Sequence, residues 1–290
     1  MRPDHWYCTE DLTGFLAHAG GFLRSRPDLH TVALTVTESL RTNGLRAYGD
    51  EAPVFGVLEL DGQVRAAYFR TPPYRLNVTP LTPEEADALA AHLVALGHPV
   101  PGVIAAHETA EAFVAAWRRH AGVRAAVSQR QRLYRLGNLT LPQPAPAGRA
   151  RIAGPHDREL LARWYAEFVE EAGHHAARDA EAWADSRIAY GGVTLWEAED
   201  GTPLSMAGVT PVVAGQVRVA PVYTPAPLRR RGYAGAVTAR VSRAVLTSGA
   251  REVLLFTDLA NRTSNGLYQR IGYRAVVDFA AYDFRRNRTY

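Results

Sequence analysis

The feature that most constrains this fold is a strand that runs directly into three arginines, a glycine and a helix. The stretch is TPAPLRRRGYAGAVTARVSRAVL, Thr224 to Leu246, and the apolar strand RVAPVYTP leads into it. The first turn of a helix carries a partial positive charge, so arginines there are unfavourable unless an anion lies between them and the helix. The backbone N–H groups of a helix start form an anion site, and glycine lets a ligand approach them. The sequence predicts a polyphosphate over residues 230–235; a solvated basic turn is the alternative.

Length and composition predict two soluble domains. The chain has 290 residues, of which 47% are hydrophobic, and this length suits two domains of about 145 residues each. We expect no membrane partner, because no run approaches the roughly 18 apolar residues that span a bilayer. The N-terminal residues include early acids and no apolar segment, so we expect no signal peptide. The single cysteine, Cys8, excludes an intramolecular disulfide. These features favour a cytoplasmic protein.

The basic residues give little indication of nucleic-acid binding. All 33 are arginine, since the sequence contains no lysine, and the net charge is only +4. Acidic and basic residues alternate along most of the chain, whereas a nucleic-acid binder usually shows a basic stripe with aromatic residues between the charges. A P-loop is excluded because its motif and its lysine are both missing. We therefore expect no nucleic-acid partner, although an arginine-rich binder stays as a third alternative.

A segment rich in proline and glycine divides the chain near its middle. Residues 142–155 are predicted to be a linker between a first domain, 1–141, and a second domain, 156–290. The second domain reads as two helices, three strands, the helix that follows the arginines, a buried strand, a short helix and final strands. The first domain repeats part of this order, because GVLELDGQVRAAYF resembles GVTLWEAEDGTPLSMAG and both continue with helix, strand and helix. The sequence predicts a diverged internal repeat.

Three short motifs in the second half resemble a known superfamily. The run Arg229-x-x-Gly232-x-Ala234 resembles the Q/R-x-x-G-x-G/A signature of the GCN5-related N-acetyltransferases (GNAT). TDLANRTSNGLYQRIGYR, residues 257–274, resembles the strand-Asn-helix-Tyr-x-x-x-Gly-Tyr/Phe segment of that family, and VYT, residues 222–224, resembles the strand end beside the pantetheine arm. The resemblance implies an α/β (α+β) fold with two tandem GNAT-like domains, each a mixed, mostly antiparallel sheet flanked by helices.

The resemblance also implies a coenzyme site. The pyrophosphate of acetyl-CoA, a co-substrate, would lie on the backbone of the arginine loop, and the arginines would face its phosphates. The backbone N–H groups of about Val222 and Tyr223 would donate to the thioester carbonyl, and Pro221 before them has no N–H to donate. The implied coenzyme-binding residues are Val222, Tyr223, Thr224, Arg229, Arg230, Arg231, Gly232, Tyr233, Ala234, Gly235, Asn261 and Ser264.

Tyr268 stands where members of the family commonly carry the general acid that protonates the leaving thiolate. A thiol has a pKa of about 8.5 and a tyrosine of about 10, so tyrosine can supply this proton. An aromatic residue that packs on a helix face is the alternative. Asn261 resembles the asparagine that contacts the cofactor, and its alternative is a helix cap; Ser264 could be a local cap as well.

The acceptor side is less defined. Glu170 and Glu171 follow the first helix of the second half, where family members shape the acceptor pocket, and a solvated helix end is the alternative. No general base can be identified from the sequence. We expect no metal, since His174 and His175 are adjacent and point in different directions. The acceptor is expected to be a primary amine of unknown identity.

The first half departs from the family pattern. Its counterpart of the arginine helix begins PLTPEEADALAAHL, with Thr82 as the expected cap and Pro83 at the first helical position. Acids in the first turn would repel a pyrophosphate, so we expect no coenzyme site there. The sequence as a whole predicts an acetyl-CoA-dependent N-acetyltransferase that acts through a ternary complex as a monomer or homodimer. The alternative is a non-catalytic acyl-CoA-binding or regulatory module.

Overall fold

The computed structural model describes residues 5–172 and 179–286. These residues form twelve strands and eight α-helices, and the chain divides into two compact units. The described parts of Met1–Leu133, Asp258–Ala260 and Val276–Tyr290 make up unit 1, and those of Tyr134–Thr257 and Asn261–Ala275 make up unit 2. None of the helices in the described ranges is long and apolar enough to cross a membrane.

Unit 1 is a sheet covered by four helices. Its strands lie in the order β1-β2-β3-β4-β5-β12-β6, antiparallel from β1 to β4, parallel between β4 and β5, and antiparallel between β5 and β12. Its elements are β1 (His5–Thr9), α1 (Leu12–Ser25), α2 (Thr31–Asn43), β2 (Val54–Leu60), β3 (Gln63–Arg70), β4 (Leu76–Val78), α3 (Pro83–Ala95), β5 (Gly102–Ala106), α4 (His107–Ala121), β6 (Val123–Leu136, as far as Leu133) and β12 (Tyr273–Arg286, from Val276).

The core of unit 1 lies between the sheet and the helices α3 and α4. Strand residues alternate between faces and helix residues recur every three or four positions, so apolar side chains from both collect in one layer. Buried members of this cluster include Trp6, Leu58, Tyr68, Leu89, Phe113, Trp117 and Tyr282.

Unit 2 repeats the architecture with its own strands and helices. Its strand order is β6-β11-β10-β9-β8-β7, with β10 and β11 parallel and the pairs β10–β9, β9–β8 and β8–β7 antiparallel. Its elements are the last residues of β6, β7 (Arg149–Ile152), α5 (Arg158–Glu171), α6 (Ala180–Ile188), β8 (Val193–Glu197), β9 (Pro203–Val209), β10 (Gln216–Tyr223), α7 (Tyr233–Thr247), β11 (Glu252–Asp258), α8 (Arg262–Arg270) and the first residues of β12.

The internal repeat extends further than the sequence indicated. The order β1-α1-α2-β2-β3-β4-α3-β5-α4-β6 recurs as β7-α5-α6-β8-β9-β10-α7-β11-α8-β12. The helices and strands predicted for the second half are confirmed, as are the hairpin, the two helices and the intervening strand of the first half. The predicted fold class, a mixed and mostly antiparallel sheet with flanking helices in tandem, is confirmed as well.

The expected linker contains a strand. Arg149–Ile152 pairs with β8 in the register Arg149↔Glu197 to Ile152↔Thr194, and Glu197 accepts hydrogen bonds from the side chains of Arg149 and Arg151. The chain passes from unit 1 to unit 2 between Leu133 and Tyr134, and the last strand groups with unit 1 from Val276. Proline and glycine mark where a chain turns, but they do not show which distant strand the next residues will join.

Candidate functional site

The start of α7 in unit 2 has no side-chain cap among the residues that the structure describes. The helix begins at Tyr233, and its N-cap residue, Gly232, has a φ of 87°, which is the left-handed region that glycine adopts without steric cost. Within residues 5–172 and 179–286, no side-chain cap hydrogen bond is made at Gly232. Because the first four N–H groups of any helix lack intrahelical partners, α7 presents backbone donors at this end. The anion site predicted at residues 230–235 requires such donors, and the site itself stays a prediction.

Strands β10 and β11 separate beside this helix start. Among the described residues their pairing extends from Gln216↔Glu252 to Arg218↔Leu254, although β10 continues to Tyr223. The register between β10 and β9 shifts between Val219 and Val222, which marks a bulge in this part of β10. Amide directions alternate along a strand, so beyond Arg218 alternate N–H groups point away from β9. The parting of the strands leaves the predicted donors, Val222 and Tyr223, at the edge of the gap.

A groove of about 800 Å³ lies next to the α7 start. This volume is within the range of about 300–1,000 Å³ typical of ligand pockets. A Cβ atom placed on Gly235 would lie 3.7 Å from Leu267 and 3.7 Å from Pro142, which is ordinary van der Waals contact, so both residues lie close to this wall. The groove is lined by Leu139, Thr140, Leu141, Pro142, Gln143, Pro144, Gly232, Gly235, Arg243, Leu267, Arg270 and Ile271.

The three arginines of the loop have different surroundings. Arg229 donates from Nε to the Thr224 carbonyl at 2.8 Å and from Nη2 to both carboxylate oxygens of Glu171 at 2.6 and 2.7 Å. Arg231 donates from Nη2 to the Pro227 carbonyl at 3.3 Å. Arg230 has a φ of 64°, and no ion pair of its side chain occurs within the described ranges. Of the three, Arg229 is therefore already neutralised by a carboxylate.

Tyr223 connects the end of β10 to helix α5. Its hydroxyl donates to Oε2 of Glu167 at 2.7 Å, and its carbonyl accepts from the Ser205 hydroxyl at 2.9 Å. Burial first, and then the neighbouring Glu167 carboxylate, raise the pKa of Tyr223 to about 12. Ser205 also shares a hydrogen bond of 2.8 Å with the Thr224 hydroxyl. These contacts fix the backbone of the strand end where the thioester is predicted to lie.

Tyr268 is a core residue of unit 2. It lies on α8, is 8% exposed, and belongs to the apolar cluster that also contains Tyr134, Val237 and Tyr273. Burial raises the pKa of Tyr268 to about 12, so the hydroxyl stays protonated at neutral pH. The ring of Tyr268 therefore packs in the core, as the alternative to a catalytic role expects. Its hydroxyl still carries a proton that it could donate. Its catalytic role stays a prediction.

The predicted cofactor residue Asn261 caps α8. Its Oδ1 accepts a hydrogen bond from the Ser264 backbone N–H at 3.0 Å, the arrangement of a helix N-cap. The next asparagine, Asn265, accepts at Oδ1 from the Tyr134 hydroxyl at 2.9 Å, and Gln269 donates to the same hydroxyl at 3.1 Å. Tyr134 was not singled out by the sequence, because its partners lie more than 130 residues away.

The acceptor-side carboxylates are placed unequally. Glu170 is exposed on α5, and Glu171 is paired with Arg229. Glu167, which the sequence analysis did not name, is half-buried and bonded to Tyr223. The spacing of four between Glu167 and Glu171 places both on one face of α5, and this spacing was the available signal. His174 and His175 lie outside the described residues, and within the described ranges no cluster of three metal-ligating side chains occurs.

The corresponding helix of unit 1, α3, is closed to anions. Thr82 Oγ1 accepts from the Glu85 N–H at 3.2 Å, and Glu85 Oε2 accepts from the Thr82 N–H at 2.7 Å. Pro83 follows the cap, as predicted from the sequence. This reciprocal capping box satisfies the helix donors with the chain's own oxygens. The other oxygen of this carboxylate, Glu85 Oε1, pairs with Arg65 Nε at 3.1 Å.

Comparison with known proteins gives one fold for the whole chain. Residues 217–281 match the family model described as FR47-like protein, whereas no curated protein matches the chain. A GCN5-related N-acetyltransferase from Sphaerobacter thermophilus covers 99% of this chain and 98% of its own, with 18% identity and a TM-score of 0.63.

Two further structures agree with this fold. An acetyltransferase of the GNAT family from Colwellia psychrerythraea covers 97% of this chain and all (100%) of its own, at 12% identity and a TM-score of 0.60. A tandem GNAT protein from the clavulanic acid biosynthesis pathway covers 97% and 98%, at 13% identity and a TM-score of 0.55. The chain has the tandem GNAT fold, and the predicted resemblance is confirmed.

Proposed function

We propose that this chain, with its tandem GNAT fold, is an acetyl-CoA-dependent N-acetyltransferase that acts on a primary amine in a ternary complex. The amine nitrogen attacks the thioester carbonyl, a C–N bond forms, the C–S bond breaks, and the thiolate leaves with a proton. The observation that carries this proposal is the uncapped start of α7 beside the groove. Unit 2 performs the reaction, and unit 1 has a structural role.

The coenzyme is held at the start of α7. The backbone N–H groups of residues 230–235 bind the pyrophosphate, and the partial positive charge of the helix attracts it. The exposed guanidinium groups of Arg230 and Arg231 add charge to the same side. Val222, Tyr223 and Thr224 run beside the pantetheine arm, while the side chains of Asn261 and Ser264 border it from the start of α8.

The developing charges are met by two different groups. One of the two adjacent backbone N–H groups, at Val222 or Tyr223, points into the gap and stabilises the oxyanion of the tetrahedral intermediate, since adjacent amides of a strand point in opposite directions. Such a donor acts most strongly in a site that excludes water. The Tyr268 hydroxyl donates to the leaving sulfur. With a pKa of about 12 it is a weaker acid than an exposed tyrosine, so a hydrogen bond to the thiolate precedes any proton transfer.

The acceptor amine arrives as an ammonium and must lose a proton before it attacks. Glu167 is the carboxylate best placed to receive this proton. Its side chain is half-buried and is held by the Tyr223 hydroxyl at the end of β10. Glu170 and Glu171 stay as weaker candidates for binding the acceptor. The GNAT fold hosts acceptors of many kinds, so the fold alone does not select one.

The second candidate is a non-catalytic acyl-CoA-binding module. The burial of Tyr268 favours it, since a sensor needs the phosphate loop but no acid. The two are separated by measuring coenzyme A thiol release from acetyl-CoA with spermidine, tyramine, an aminoglycoside and a peptide with a free N-terminus. Turnover with any of these amines above the rate of hydrolysis supports the enzyme. Tight acetyl-CoA binding without turnover supports the non-catalytic module. If the chain neither binds acetyl-CoA nor turns it over, both candidate functions are overturned.

A further inference from the structure

Arg229 occupies the first position of the signature run, where the sequence places it among the phosphate ligands. We infer that Arg229 is instead a positioning residue, which ties the end of β10 to helix α5 on the acceptor side of the site. The inference rests on the proposed function, because it concerns which loop residues hold acetyl-CoA and which hold the acceptor side.

The described contacts of the Arg229 side chain are with the end of β10 and with α5. Nε donates to the Thr224 carbonyl, and Nη2 donates to the Glu171 carboxylate at the end of α5. The guanidinium carbon lies 5.8 Å from the centre of the Tyr223 ring, within the range of a cation–π contact. One side chain thus contacts a backbone carbonyl, a carboxylate and an aromatic ring, all on the acceptor side.

Charge gives a second reason. A guanidinium that is already paired with a carboxylate attracts a further anion less than a free one, because the two charges cancel at the distance of the ligand. The Arg229 hydrogen bond to Glu171 raises the pKa of the guanidinium above its ordinary value, which reflects the same attraction. Arg230 and Arg231 have no carboxylate partner among the described residues, so their charges stay available to a phosphate.

Two parallel ties then join β10 to one face of α5. Arg229 holds Glu171, and Tyr223 holds Glu167 one helical turn earlier. Both ties start from the strand end that carries the predicted oxyanion donors. The distance between the donors and the Glu167 carboxylate is therefore fixed by these side chains. Arg229 contacts both oxygens of Glu171, whereas Tyr223 contacts only Oε2 of Glu167. Among the described residues, Glu167 Oε1 is therefore the oxygen left to receive the acceptor ammonium.

The test compares Arg229→Gln with Arg230→Gln, and uses Arg240→Gln, an exposed arginine further along α7, as the matched control. Isothermal calorimetry with acetyl-CoA should give Arg229→Gln an affinity within about twofold of the wild type, while Arg230→Gln should weaken it by about tenfold, the change that the loss of one charged contact gives. With the best amine of the panel, Arg229→Gln should raise KM or lower kcat by about fivefold or more.

The Glu171 link is tested by a double-mutant cycle. Glu171→Gln should reproduce the kinetic change of Arg229→Gln, and the double variant should lose no more than either single variant. Arg229→Lys should recover at most part of the KM or kcat that Arg229→Gln loses. A lysine ammonium lacks the planar guanidinium group that contacts the Thr224 carbonyl and the Glu171 carboxylate at the same time. A merely structural arginine would instead lower the melting temperature without this pattern.

The inference and the proposed function fail in different ways. If the wild type binds acetyl-CoA but Arg229→Gln loses affinity as strongly as Arg230→Gln, Arg229 is a phosphate ligand and the inference is overturned. Additive effects of Arg229→Gln and Glu171→Gln on thermal unfolding would overturn it as well, without any ligand present. If the wild type does not bind acetyl-CoA, the proposed function is overturned. The double-mutant cycle on thermal unfolding still tests the contact between Arg229 and Glu171.

Discussion

The ring of Tyr268 packs edge-on against the ring of Tyr273, with 6.0 Å between the ring centres and an interplanar angle of 68°. This geometry is one of those that aromatic pairs prefer. Tyr273 shares a hydrogen bond of 2.8 Å between its hydroxyl and the Ser242 hydroxyl. The two tyrosines therefore share a core, and they form a matched pair for separating catalysis from packing.

Replacing Tyr268 by phenylalanine removes one hydroxyl and almost no volume. If that hydroxyl donates to the leaving thiolate, kcat should fall by about 10²- to 10⁴-fold, the usual contribution of general acid catalysis. The affinity for acetyl-CoA should change little, because the pyrophosphate is held at the start of α7. The measurement is kcat with any accepted amine, together with calorimetry and the melting temperature.

Tyr273→Phe is the control for this change. It removes the hydrogen bond to Ser242 from the same core, so it should lower the melting temperature while turnover stays within a few-fold. Wild-type turnover in Tyr268→Phe would remove Tyr268 from the mechanism and leave the packing interpretation.

The phosphate loop is tested by charge and by bulk. Arg230→Glu places a negative charge beside the pyrophosphate, and Gly232→Trp covers the backbone donors, so each should weaken acetyl-CoA binding by tenfold or more, about 1.4 kcal/mol. Gly249→Trp is a matched control, because Gly249 has a φ of 97° just after the other end of α7. It carries a similar backbone cost without touching the loop. Calorimetry that finds equal affinities for all three variants and the wild type would rule out the site.

The number of coenzyme molecules per chain tests the difference between the units. The capping box of Thr82 and Glu85 satisfies the α3 donors, so only unit 2 should bind. Equilibrium binding to the full chain should therefore give one acetyl-CoA per chain, and Gly232→Trp should bring the stoichiometry towards zero. A second molecule that survives this substitution would show that unit 1 holds a site of its own.

Stability should fall at high pH because buried tyrosines resist ionisation. The pKa values of Tyr223 and Tyr268 are raised to about 12, whereas in the unfolded chain a tyrosine ionises near about 10. Their contribution is complete below pH 10. Between about pH 10 and 12 only the unfolded state loses these protons, so each tyrosine lowers the free energy of unfolding by up to about 1.4 kcal/mol per pH unit.

Urea unfolding at pH 9 and pH 11 measures this loss. Tyr268→Phe should show a smaller decrease between the two pH values than the wild type. Tyr7→Phe, which removes a hydroxyl from a side chain that is 62% exposed, should behave like the wild type. An equal decrease in all three proteins would contradict the assigned burial effect on Tyr268.

Much of the architecture could be read from local patterns. Hydrophobic periodicity located the elements of unit 2, and the run Arg229-x-x-Gly232 located the start of α7. The Thr82 cap was also predictable, because a capping box involves residues only three positions apart. These features depend on neighbours in the sequence, so the sequence by itself determined them.

The tertiary structure decided which distant groups meet. Arg229 and Glu171 are 58 residues apart, Tyr223 and Glu167 are 56 apart, and Tyr134 and Asn265 are 131 apart. No local pattern pairs them, because their contact follows from how α5, α8 and the sheet pack. The same holds for β7, whose arginines join Glu197 of a later strand. The sequence by itself thus predicted where an anion could bind, and only the fold decided which of the three arginines is already paired with a carboxylate.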